Sequence, residues 1–142
     1  MIPRHPRVLI VEDEPDTLLV LRINLDAAGF VTSLAADGAT ALGRIEEERP
    51  DVVLLDLMLP VVDGWSVLAD LRSRPAAPRV VVCSAKGSER DFAQAEEMGA
   101  AAYVTKPFVL EDVVAALWEA LIRPAPAWEP NREPGLLPGW EG

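Results

Sequence analysis

A short apolar run, Val52-Val53-Leu54-Leu55, ends on a charge, Asp56, and is followed by Leu57-Met58-Leu59-Pro60-Val61-Val62-Asp63-Gly64. The run is too short for a helix. Its β-branched and leucine residues, closed by turn formers, predict a strand buried on both faces. A carboxylate placed directly after such a strand lies at its C-terminal end, where open α/β sheets bind their ligands. A lone aspartate there is ordinarily a turn or cap residue, so the rest of the chain decides what Asp56 is.

The same alternation recurs along the chain. Strands are expected over residues 7–11, 30–34, 51–56, 79–83 and 101–105, and helices over 15–28, 37–48, 64–73, 88–98 and 110–122. Pro15 suits the first turn of the first helix and Gly29 its C-terminal stop. Asp37 can cap the second, Pro75 and Pro78 bracket a surface loop, and Gly99 ends the fourth. In the last helix Leu110, Val113, Val114, Leu117 and Leu121 recur at helical spacing and give one apolar stripe for a sheet. Five βα units with short loops imply an α/β fold, a doubly wound parallel sheet of five strands with five helices.

The chain divides into an N-terminal extension (1–6), a folded domain (7–123) and a C-terminal tail (124–142). The tail carries five prolines in nineteen residues, which excludes a continuous helix or a central strand. It is read as flexible or partner-docking. A disordered end is the ordinary reading of such a tail, but Trp128, Leu136, Leu137 and Trp140 are costly to leave in water, which keeps docking on the domain, on a second copy or on a partner open.

At 142 residues the chain suffices for one domain with a core. No apolar stretch approaches a membrane span, and Met1–Arg7 lacks a signal-peptide apolar region, so a cytoplasmic location without membrane insertion is expected. The net charge of −10 argues against direct nucleic-acid binding, which needs a basic face. The lone Cys83 falls in an expected buried strand and reads as a small core residue.

Three more strand ends carry polar groups: Glu12-Asp13-Glu14, Ser84-Ala85 and Lys106-Pro107. In a parallel sheet these ends share one edge. Carboxylates gathered there repel unless a cation sits among them, and oxygen ligands favour a hard ion such as Mg²⁺. A metal, a nucleophilic carboxylate, a hydroxyl and a lysine are the parts needed to hold a phosphoryl group during in-line attack.

With Glu12-Asp13, Asp56, the following Met-Leu-Pro and Asp63-Gly64, Ser84-Ala85, and Tyr103 with Lys106-Pro107-Phe108, the chain resembles a response-regulator receiver domain of two-component signalling, the CheY-like superfamily. The resemblance covers about residues 7 to 122 and rests on five motifs in order. It implies a flavodoxin-like strand order, 2-1-3-4-5, which the pattern alone does not give. It also implies roles. Asp56 is the phosphoacceptor. Asp13 and Glu12 bind Mg²⁺ together with Asp56 and the backbone carbonyl of Met58, Glu12 standing where many receivers have aspartate. Ser84 and Lys106 contact the phosphoryl group, and the Lys106-Pro107 bond is cis. Ser84 and Tyr103 form a switch that repacks the face of the fourth helix, fifth strand and fifth helix. Glu14 is expected to be surface charge, and Pro60, Asp63 and Gly64 to shape the loop and start the third helix.

The phosphoryl donor is expected to be external, a histidine kinase or histidine phosphotransfer domain. His5, the one histidine, lies outside any helix, and there is no Walker A loop. The first helix, with Leu18, Leu21, Leu25 and their neighbours, is the face such donors meet in the family; some of these leucines must be core, and the sequence does not divide the two sets. The output is an unidentified downstream protein, reached by contact, and a weak homodimer is in keeping with the family. The chain reads as a stand-alone receiver that catalyses only its own phosphorylation and dephosphorylation, and otherwise is no enzyme. Two alternatives are a degenerate receiver that binds partners without phosphorylation and a Mg²⁺-dependent aspartyl-phosphate hydrolase. The second usually has another acid two residues after the nucleophile, where this chain has Met58.

Overall fold

Strand and helix alternate five times in the computed structural model, which describes residues 2–123. The elements are β1 Arg7–Val11, α1 Pro15–Ala27, β2 Val31–Ala35, α2 Gly38–Glu48, β3 Val52–Leu55, α3 Gly64–Arg72, β4 Arg79–Ser84, α4 Glu89–Glu97, β5 Ala102–Thr105 and α5 Leu110–Ile122. The strands form one parallel sheet in the order β2-β1-β3-β4-β5, as the resemblance implied. The 124–142 tail, with what the sequence leads one to expect of it, lies outside the described residues.

Side-chain alternation along the strands divides the core in two. Val8, Ile10, Val52, Leu54, Val81 and Cys83 face Leu21 and Leu25 of α1 and Val113, Leu117 and Leu121 of α5. Leu9, Val11, Val53, Leu55, Val80 and Val82 face α2, α3 and Ala95 of α4. Both faces of the central strands are therefore dry, which is why their sequences show no polar alternation. The expected α5 stripe is confirmed, with Leu110 and Val114 at its half-buried margin.

Helix ends explain the small differences in element boundaries. The Phe30 amide donates to the Leu25 carbonyl (3.0 Å) and the Gly29 amide to that of Asp26 (3.1 Å), a Schellman ending with Gly29 at φ 99°. Because that ending uses the Phe30 amide, β2 begins at Val31. Ala100 and Gly99 close α4 in the same way onto Ala95 and Glu96. Asp37 and Asp63 cap α2 and α3 through the Thr40 and Ser66 amides, at 2.7 and 2.9 Å.

Glu14 is exposed, as expected, and has a further role: its carboxylate accepts the Asp16 and Thr17 amides, at 2.8 and 3.0 Å, and caps α1. Packing divides the α1 leucines that the sequence left between core and partner face: Leu21 and Leu25 are core and Leu18 packs partly against it. The exposed apolar residues of α1 are instead Leu19, Val20 and Ile23. A helix offers both stripes at similar spacing, and only packing separates them.

Candidate functional site

The chain reverses direction across the sheet between β1 and β3, and the site lies at the C-terminal ends of those strands. Val11 pairs with Leu55, so Glu12 and Asp56 leave the sheet side by side. Both remain tied to it, the Glu12 amide to the Ala35 carbonyl and the Asp56 amide to that of Val11, each at 3.0 Å. On the other flank Ser84 pairs with Thr105, and the Lys106 amide donates to the Ser84 carbonyl at 2.9 Å. The Lys106-Pro107 bond is cis, as expected.

Glu12 is 2% exposed, Asp56 6% and Ser84 0%. Carboxylates this dry must be paired. Lys106 does that: its Nζ donates to Asp56 Oδ2 at 2.9 Å and to Glu12 Oε1. The second oxygens are also bonded, Glu12 Oε2 by the Glu14 amide and Asp56 Oδ1 by the Met58 amide, each at 3.0 Å. Burial pushes the Glu12 carboxyl above its ordinary value, against the opposing hydrogen bonds from Lys106 and the Glu14 amide. Loss of water would lower the Lys106 ammonium, but its bonds to Glu12 and Asp56 outweigh that and hold it above the usual lysine value. Of the two carboxylates on Lys106, Glu12 is the drier.

Asp13 completes the cluster from the exposed side. Oxygens of Glu12, Asp13 and Asp56 lie within 4.8 Å of one another. Three carboxylates against one ammonium leave the cluster net negative, and the donors are all hard oxygens. This set fits a divalent cation such as Mg²⁺. Met58 contributes its amide to the site, while its side chain is exposed.

The loop from Asp56 to α3 is held by close backbone contacts. A Cβ on Gly64 would lie 2.2 Å from the Asp56 carbonyl oxygen, and one on Gly38 2.0 Å from that of Val62. Glycine is what permits both approaches. Between them Val61 takes a left-handed φ of 66° while 84% exposed. A β-branched residue is rarely found there.

Ser84 and Tyr103 are joined through a residue to which the sequence assigned no such role. The Lys86 amide donates to Ser84 Oγ at 3.3 Å, and the Tyr103 hydroxyl donates to the Lys86 carbonyl at 2.5 Å. Phe92 of α4 meets the Tyr103 ring edge-on, centroids 4.6 Å apart. Burial and the nearby Asp91 charge push the Tyr103 hydroxyl above its ordinary pKa. Lys86 acts by its backbone, so its side-chain type carried no signal. Phe92 was visible only as an apolar residue in a polar helix.

Among the described residues no helix is long and apolar enough to cross a membrane. The chain is 45% identical over 118 residues to the transcriptional regulatory protein PrrA of Mycobacterium leprae, covering 83% of this chain and 50% of PrrA. It is 45% identical over 122 residues to the transcriptional regulatory protein KdpE of Mycobacterium tuberculosis, covering 86% and 54%. This chain therefore spans about half the length of these relatives. A putative response regulator from Chloroflexus aurantiacus superposes with a TM-score of 0.79 at 29% identity, over 84% of this chain and 99% of that one. Residues 8–118 match the family model of the response regulator receiver domain. With the acidic pair, Asp56, Ser84 and Lys106 gathered at one sheet edge, the chain belongs to the response-regulator receiver family.

Proposed function

We propose that Asp56 is the phosphoacceptor of a working receiver. The single observation that supports this most is the buried Asp56 carboxylate held between Lys106 and the Met58 amide beside Glu12 and Asp13. An Asp56 oxygen attacks phosphorus, the bond from phosphorus to the donor breaks, and an acyl phosphate remains on the protein. A phosphohistidine donor leaves as imidazole. Glu12, Asp13, Asp56 and the Met58 carbonyl would hold Mg²⁺, which when bound would neutralise charge on the phosphoryl oxygens. Lys106 turns from the carboxylates to a phosphoryl oxygen, and Ser84 donates its hydroxyl to another. A Ser84 shift pulls on the Lys86 amide, and so on the carbonyl that anchors Tyr103. That link carries the event to the α4–β5–α5 face.

The proposed donor is a histidine kinase or phosphotransfer domain, docking on Leu19, Val20 and Ile23 of α1. Output through a downstream protein is favoured over DNA contact by these residues, given their net charge of −10. The relatives named as transcriptional regulators extend well beyond the matched region, so a transcriptional output for this protein is a proposal at the level of the family. A cytoplasmic location and no reaction beyond self-phosphorylation and dephosphorylation complete the reading.

Intact-protein mass after incubation with acetyl phosphate tests it. One phosphoryl adduct is expected, dependent on Mg²⁺ and lost in Asp56→Ala. No adduct on folded protein would favour the phosphorylation-independent module, and continuous turnover of added donor would favour a hydrolase.

A further inference from the structure

Beside β5, an edge strand of the sheet, runs a groove of about 310 Å³ between α4 and α5. Its floor includes Ala95, Ala100, Ala101 and Ala102, with the aromatic rings of Phe92 and Tyr103, and Glu96 and Glu119 give it a polar rim. Small residues leave the space and the rings give it an apolar wall. Arg123, the last described residue of the chain, is also part of the lining and thus borders the groove.

The exit from α5 is fixed. Arg79 donates through a terminal guanidinium nitrogen to the Arg123 carbonyl at 2.9 Å. Arg123 itself has φ −66° and ψ 145°, the polyproline II conformation that a residue before proline favours. The next residues are Pro124-Ala125-Pro126-Ala127-Trp128. Proline-rich sequence favours that extended form, at about 3.1 Å per residue, so five residues give Trp128 a reach of up to roughly 15 Å from Arg123. The four residues of β5 span roughly 13 Å. An indole on that tether is within range of the whole groove, and burying it removes one of the largest apolar side chains from water.

We infer that residues 124–128 are an internal ligand of this groove, with the Trp128 indole against Ala95, Ala100, Ala101 and the Phe92–Tyr103 pair. The segment covers the face that the family uses for output, and an external partner must displace it. This docking stands independently of the phosphoacceptor reading, and its test uses no phosphodonor.

NMR of the full 142-residue chain reads it directly. Expected are nuclear Overhauser contacts from the Trp128 indole to the Ala95, Ala100 and Ala101 methyls that survive tenfold dilution. Trp128→Ala should shift the amides of 95–103 and leave those of β1 and β2 unmoved. Absent contacts with unmoved groove amides would overturn the inference. So would contacts that fade on dilution, which place a second copy in the groove, or amide shifts that follow Trp140→Ala and not Trp128→Ala.

Discussion

The Lys106 ammonium lies 2.9 Å from Asp56 Oδ2 and bonds the Glu12 carboxylate from the same position. One cation thus serves two buried carboxylates that come from different strands. Removing it leaves both without a counter-charge, and the cost of losing one partner exceeds the net worth of the pair.

Lys106→Met should lower stability by about 1–3 kcal/mol, less than for a fully buried pair because Lys106 remains 22% exposed. Mg²⁺ should restore more stability to this variant than to the parent, since a second cation then replaces the missing one. Urea unfolding of both proteins in EDTA and in excess Mg²⁺ makes the comparison. Equal Mg²⁺ gains in the two would show that the metal and Lys106 do not share a charge cluster.

Val61 holds a left-handed conformation with almost no burial to compensate. The strain of an L-residue there is about 1–2 kcal/mol, and glycine's extra chain entropy takes back about half. Val61→Gly should therefore stabilise the domain by roughly 0.5–1 kcal/mol, seen as a higher urea midpoint at unchanged slope. A lower midpoint would mean that the loop is held by contacts of the Val61 side chain.

Gly64 and Gly38 bear the two closest backbone approaches around the loop that follows Asp56. Alanine at either should cost about 1–3 kcal/mol through forced displacement of backbone. The two should differ in function. Gly64→Ala pushes on the Asp56 carbonyl itself and should slow adduct formation, whereas Gly38→Ala pushes on Val62, six residues further along the chain. Adduct rates from acetyl phosphate, measured beside urea curves, separate the effects. Equal rates for the two variants would detach loop position from reactivity.

Cys83 is 3% exposed, and its thiol is pushed up to about 12, chiefly by burial, from an ordinary 9.0. In the folded state it keeps its proton where the unfolded chain has lost it. Stability should therefore fall as pH rises through 9 towards 12, and Cys83→Ala should flatten that decline. Near neutrality a thiol-disulfide reagent should react with native protein roughly a thousandfold or more slowly than with unfolded chain. Rapid labelling of the native protein would contradict the burial of β4.

Much of the fold was legible because its signals are local. The apolar run at 52–55, the glycines after α1 and α4, and the aspartates before α2 and α3 each report a choice made within a few residues. Strand order was not legible from pattern and came from family likeness, since every central strand reads as equally apolar. Asp56, Ser84 and Lys106 were found as polar residues at strand ends. The cap formed by Glu14 was missed because a helix cap is usually sought among serine, threonine, aspartate and asparagine.

The sequence by itself determined five βα units, two dry sheet faces and a set of charges waiting at one edge, because periodicity and turn chemistry act over short range. Only the tertiary structure decided which charges meet. Lys106 is 94 residues from Glu12 and 50 from Asp56, and strand register brings them together. It alone divided the α1 leucines into core and surface, and it alone joined Ser84 to Tyr103 through the Lys86 backbone. A backbone amide or carbonyl has the same chemistry in every residue, so its part in a site is written in no side chain.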